Sequence, residues 1–238
     1  MKVAIMQPYF FPYIGYFQLM HAVDTFVIFD DVQFIKKGWI HRNQIVIDGE
    51  PHPFTLSIQK MSQNKLICEH ERALAEETVV RQIKQLHHAY QKAPYFNEAM
   101  PVLERALSNP ERNVATYLAQ SLQEVARYLQ IDTSFLFTSD LKGNPALKGQ
   151  ERILDYCKQL DATHYINAIN GRTLYDEESF RKSGMALSFL QSDLPAYRQG
   201  TDTYLPYMSI IDCMMNCSAQ HIHEMLHRYE LVANHQPT

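Results

Sequence analysis

The sequence predicts an α/β fold: a Rossmann-like mixed sheet flanked by helices, with a β-hairpin and a helical insertion over roughly residues 67–130. Three observations carry this expectation. KVAIM, IGYFQLMHAV and TFVIFDDV read as strand, helix and strand, the start of a right-handed crossover. The same alternation resumes in TSFLFTSD, QERILDYCKQL and ATHYINAI. Between them, QIVIDGEPHPFTLSI holds Asp48-Gly49 between apolar runs, the signal of a tight hairpin. With 238 residues and 46% hydrophobic content, the chain is expected to form one α/β domain spanning residues 1–238.

Taken in order, the first strand, KVAIM, feeds the turn MQPYFFPYIGYF. Solvated turns favour Gly, Asn, Asp and Ser, which supply unusual dihedrals or local hydrogen bonds. This turn is crowded with aromatic rings instead, so it is written for burial or for contact. Two readings stay open, a packed roof over a sheet edge and a ligand platform. A helix and the second strand follow, and then the hairpin of residues 44–58 adds two antiparallel strands, in the sheet or in a flap beside it. From Ile67 to Leu107 the pattern turns helical with interruptions at Pro94 and Pro101, and a further helix runs from Asn113, a good cap, to Leu129. After the resumed alternation, a strand end is expected at Asn170-Gly171, a short helix at 179–184, a strand at ALSFLQ and a helix over 209–231. Ser209 and Ser218 are candidate caps for that last helix, and NHQPT at the end reads as tail.

Composition excludes several classes. A formal charge of −4 and a pI near 6.2 argue against a partner held by bulk counterion release, so no specific nucleic acid is expected. No run of eighteen apolar residues occurs, and the N-terminal apolar run breaks at Gln7 and Pro8, too early for a signal peptide. The expected location is the cytoplasm, without a membrane span. Cys68, Cys157, Cys213 and Cys217 form no CxxC pair and read as free thiols. Fourteen tyrosines combine ring contact with a polar tip, a composition suited to carbohydrate, nucleotide or peptide surfaces and equally to core edges.

Chemistry-bearing residues gather at strand ends, where open α/β sheets bind ligands. Gln7, Tyr13, Gly15 and Tyr16 follow the first strand. Asp30 and Asp31 end the second, and alternation puts only one of them on a given face. Gln33, Lys36, Lys37, Trp39, Arg42 and Asn43 come next, with His41 beside Arg42 as a candidate acid or base. An indole, amides, cations and carboxylates in one loop form a recognition set for a polar, ring-shaped, anionic ligand, of which a sugar nucleotide is an example. Against this stands the plainer reading, a solvated charged loop. Lys60 and Ser62 in QKMSQNK offer a cation and a hydroxyl for phosphate. Asn167, Gly171 and Tyr175 in HYINAINGRTLYD, and Gln199, Ser209 and Asp212 in the segment 196–212, complete the candidates; Ser209 and Asp212 also read as a capping-box-like pair. HIHEMLH places His223 and His227 four apart, but the glutamate is misplaced for HExxH and no third ligand has diagnostic spacing, so surface histidines and no metal are expected. GxSxG, Walker and GxGxxG motifs do not occur.

Five ordered blocks, MQPYFFPYIGYF, DTFVIFDDVQFIKKGWIHRN, FTLSIQKMSQ, YINAINGRTLYD and LPYMSIID, closely resemble the WbqC-like protein family from about residue 3 to residue 230. The resemblance implies a role in bacterial surface-polysaccharide or O-antigen clusters, as an enzyme forming an amide on a nucleotide-linked amino sugar. The donor it implies is left open between ATP-activated acids and acyl or aminoacyl thioesters, and no catalytic residue carries over from the family. Asp30, Asp31 and His41 are the candidate catalytic groups of this chain. The alternative is a non-catalytic subunit that holds a sugar nucleotide or an acyl carrier; a homo-oligomer fits either reading. The chain departs from the family pattern at Asn170-Gly171, where the family commonly reads two glycines, and at His41, where it often reads Asn. In outline the opening is also similar to the nucleotidyltransferase and pantothenate-synthetase superfamily, whose HxGH motif binds ATP phosphates; here Tyr13-Ile14-Gly15-Tyr16 stands in that place, and phenols supply no imidazolium.

Overall fold

Strand β1 (Lys2–Met6), helix α1 (Ile14–His21) and strand β2 (Thr25–Ile28) form the expected opening crossover in the computed structural model, which describes residues 1–194 and 196–233. The hairpin β3 (Arg42–Ile47) and β4 (Glu50–Thr55) turns at Asp48 and Gly49, both in the left-handed region with φ of 50° and 81°. That pair of conformations is what a two-residue hairpin turn requires, and Asp-Gly adopts it cheaply. Helices α2 (Glu76–Tyr90), α3 (Phe96–Leu107) and α4 (Val114–Tyr128) follow. Then come β5 (Ser134–Phe137), α5 (Gly149–Gln159), β6 (His164–Ala168), α6 (Glu177–Lys182), β7 (Ala186–Ser192), α7 (Ile210–Asn216), α8 (Ala219–Leu226) and β8 (Tyr229–Val232).

Six strands form one sheet in the order β5-β2-β1-β6-β7-β8, parallel throughout except for β8, which pairs antiparallel with β7. The hairpin is a separate two-stranded sheet. Side-chain alternation along the central strands sorts residues to the two faces. Ala4, Phe26, Ile28 and Ile166 join the larger apolar cluster with α1, α3, α4, α7 and α8, while Val3, Ile5, Val27 and Tyr165 join a smaller one with α5 and α6. Each fully buried Phe or Leu contributes about 1.5–3 kcal/mol, so the larger cluster dominates the stabilisation of the sheet.

Four expectations are corrected in detail. The segment over 67–75 holds only a single turn at Ile67–Glu69, and α2 starts at Glu76. Helix α3 runs through Pro101 instead of stopping there. The stretch 209–231 is two helices and a strand, because Ser218 accepts from the His221 amide at 3.1 Å and starts α8 afresh. The last strand, YELV, then pairs with the edge of β7, a non-local partner that helical periodicity does not foresee. The tail reading for NHQPT falls on residues 234–238, outside the described residues.

The chain leaves β1 toward β2 on one side and reaches β6 on the other. Open sheets form a crevice where successive connections diverge in this way, at the carboxyl ends of the strands. Here that place is above β1 and β6.

Candidate functional site

The aromatic turn after β1 divides its rings between core and crevice. Phe10 and Phe11 are buried against Phe54 of the hairpin, with Phe10 stacked on it at 5.4 Å. Phe11 adopts φ of 43°, a costly backbone for a bulky residue, and its carbonyl is held by Asn43 Nδ2 at 2.7 Å and by the Ser209 hydroxyl at 2.7 Å. Tyr16 is buried and donates to the Gln7 carbonyl at 2.8 Å, so it packs the crossover. Tyr9 and Tyr13 face outward and, with Trp39, Asn43, Asn170 and Tyr207, line a cavity of about 200 Å³. Gly15 makes this possible: a Cβ there would meet the Tyr13 ring at 2.4 Å and Ser192 Oγ at 2.7 Å. Tyr13 therefore lies over the first turn of α1. Both readings of the turn hold, each for a different set of rings.

The carboxylates after β2 take opposite directions, as alternation requires. Asp30 turns inward and accepts from the Ser139 amide at 3.0 Å and the Ser139 hydroxyl at 2.7 Å, tying the end of β2 to the turn after β5. Asp31 faces a second cavity of about 610 Å³, together with Gln33, Lys148, Gln150, Arg152 and Tyr175. Its Oδ2 is paired with the Arg152 guanidinium and accepts from the Tyr156 hydroxyl at 2.6 Å, while Oδ1 lies 2.6 Å from the Thr138 hydroxyl. Burial, and then the hydrogen bond to Asp31, push the Tyr156 phenol up to about 12, so it remains a donor at neutral pH. Arg152 also donates to the Tyr156 oxygen at 3.0 Å. The result is an anion, a cation and a phenol in fixed mutual geometry at the wall of a cavity.

Residues 7–224 match the WbqC-like protein family. The chain belongs to that family. The uncharacterized protein Rv1507c of Mycobacterium tuberculosis is 27% identical over 221 residues, covering 92% of this chain and 95% of that protein. No solved structure matches the chain.

Within the WbqC-like chain the remaining candidates separate clearly. His41 is buried with its ring 5.5 Å from Phe34, and its Nδ1 has no hydrogen-bond partner; burial, then the Arg42 charge, lower its pKa. Arg42 is exposed and folds back on its own loop, donating to the Lys37 carbonyl and to Gly38 O at 3.2 Å. Lys36 and Lys37 are exposed. Lys60 is exposed with φ of 43°, and Ser62 is half-buried; its hydroxyl accepts from the Asn64 amide at 3.2 Å. Neither stands among the residues lining the two crevice cavities. Asn167 donates to the Tyr165 and Tyr175 hydroxyls at 3.0 and 3.1 Å, and Gly171 packs against its amide, where a Cβ would come within 3.2 Å.

Asp212 lies in a different environment. It is fully buried, and Tyr197, Gln199 and Tyr90 donate to it at 2.7, 2.9 and 3.0 Å. Burial raises its pKa, opposed by those donors. The capping-box pairing is thus half realised: Ser209 caps α7 through the Ile211 amide at 3.2 Å, while the Asp212 carboxylate serves the two tyrosines and Gln199. The same Gln199 reaches the wall of a third cavity of about 490 Å³ beside the hairpin.

Sequence reading missed Thr138, Arg152 and Tyr156. Arg152 and Tyr156 sit four apart on α5 and so share a face, but their partner Asp31 is 121 and 125 residues away. Only the crossover from β5 through α5 to β6 brings them together.

Proposed function

We propose that the WbqC-like chain is an enzyme that forms an amide on the amino group of a nucleotide-linked sugar, with the reacting groups held in the crevice above β1 and β6. The observation that supports this best is the meeting of Asp31, Arg152 and Tyr156 in one cavity, across the same strand ends as the aromatic cavity of Tyr13 and Trp39. The aromatic cavity suits a sugar or base ring, which stacks on phenol and indole faces. Arg152 and Lys148 suit its phosphates or a carboxylate, since guanidinium binds such groups in a fork.

In the reaction the sugar nitrogen attacks the acyl carbon of a thioester or an acyl phosphate. The carbon–nitrogen bond forms, the bond to sulfur or phosphate oxygen breaks, and one proton leaves the nitrogen. Asp31 is the carboxylate assigned to that proton, and the Tyr156 hydroxyl is placed to donate to the oxyanion. Holding donor and acceptor together supplies much of the acceleration such a reaction needs. The test is mass spectrometry of an amino-sugar nucleotide incubated with the protein and either ATP with amino acids or acyl thioesters. A heavier sugar nucleotide, lost in Asp31→Asn and Arg152→Gln but not in Lys36→Gln, is the expected result.

One observation favours a second reading. Asp31 is already engaged by Arg152, Tyr156 and Thr138, so its carboxylate is a weak base unless a ligand displaces a partner. A binding subunit that presents the sugar nucleotide, or an acyl carrier, to another enzyme needs no free base. It would bind ligand without product in every donor combination, and Asp31→Asn would leave the partner enzyme's turnover intact.

A further inference from the structure

His21, the last residue of α1, meets His223 and His227 of the α8 end across more than two hundred residues of sequence, and their ligating nitrogens all lie within 4.8 Å of one another. The rings pack edge to face, with His21 and His227 centred 4.5 Å apart and His223 and His227 5.4 Å apart. No carboxylate belongs to the cluster. The Nδ1 of His21 is buried without a hydrogen-bond partner. His223 Nδ1 stands 2.9 Å from the Leu129 carbonyl, which holds the proton there and leaves Nε2 as a lone-pair donor, the outer-sphere arrangement that orients metal-bound histidines. Two helices also end here, and helix C-termini carry negative partial charge that favours a cation. Three imidazoles packed together gain nothing from one another's charge.

We propose that His21, His223 and His227 bind a divalent transition-metal ion of the zinc type, with a fourth position open to water. Imidazole nitrogens suit zinc, and a tetrahedral zinc with bonds of about 2.0–2.1 Å needs its ligands about 3.4 Å apart, which small side-chain rotations provide. The site lies at the opposite end of α1 from Tyr13 and Gly15, so it is separate from the crevice. It would clasp α1 to the C-terminal segment where Gln18 already donates to the Met225 and Arg228 carbonyls, each at 2.9 Å.

The experiment is calorimetric titration of chelator-treated, untagged protein with zinc chloride, repeated with cobalt(II) to read its absorption bands. One equivalent binding with a Kd of about 10 µM or tighter is expected. Zinc at about a hundred times Kd should raise the melting midpoint by about 5 °C. His227 is exposed, so His227→Gln leaves the fold intact and should weaken binding at least about tenfold, as should His21→Gln, whereas His87→Gln should not. Absence of binding at about 100 µM zinc, or binding unchanged by loss of either His21 or His227, overturns the proposal.

Discussion

The amide of Asn43 serves two carbonyls of the aromatic turn, those of Phe10 and Phe11. Removing a buried donor leaves its acceptors unsatisfied, which costs about 1–3 kcal/mol each. Asn43→Ala should therefore lower stability by about 2 kcal/mol in urea denaturation and loosen the cavity that Tyr13 and Trp39 wall. Gly15→Ala makes a different prediction. Alanine favours a helix by roughly 0.5–1 kcal/mol over glycine, and the obstacle is the side chain of Tyr13, which can swing aside. Stability should stay within about 1 kcal/mol of the parent, while ring-bearing ligands lose affinity because the Tyr13 wall has moved. Calorimetry with a nucleotide-linked sugar and a thermal melt together read the two effects.

At the scale of elements, two serines decide where the C-terminal helices begin. Ser218 caps α8 alone, and Ser218→Ala should cost about 1 kcal/mol. Ser209 caps α7 and also donates to the Phe11 carbonyl, so Ser209→Ala should cost more, about 2–3 kcal/mol, in the same denaturation assay. The difference arises because one hydroxyl is an end cap and the other is also a tie between the last third of the chain and the first turn. These caps were legible as residue types. What they start was not: a four-residue edge strand such as β8 has its meaning only once β7 lies beside it.

For the whole molecule, pH separates two kinds of buried group. His41 and His164 have pKa values below the ordinary 6.5, mainly through burial, so the unfolded chain takes up protons first as pH falls. Their contribution to stability is intact above about 6.5 and is lost as pH drops from there toward the folded values. Asp212 has the opposite sign: its folded pKa is raised, so its contribution is present below the unfolded value and lost as pH rises through the folded one. The urea midpoint should fall between pH 7.5 and pH 5, and His41→Asn, the residue the family often carries there, should flatten that fall.

The strands and the crossover were readable because burial on two faces writes itself as apolar runs and alternation, and the hairpin because Asp-Gly tolerates left-handed backbone. The crevice was readable in outline, since polar residues collect at strand ends. Which of Asp30 and Asp31 faces it, and that Arg152 awaits it there, depends on packing across the sheet and leaves no local mark.

A hydroxyl carries one hydrogen, and that of Thr138 has two claimants, Asp31 at 2.6 Å and Asp30 at 3.1 Å. Whatever arrives at Asp31 and draws it away hands that hydrogen to the deeper carboxylate. Occupancy above the sheet thus becomes a change in the bolt between two neighbouring strands, a latch with a single moving proton.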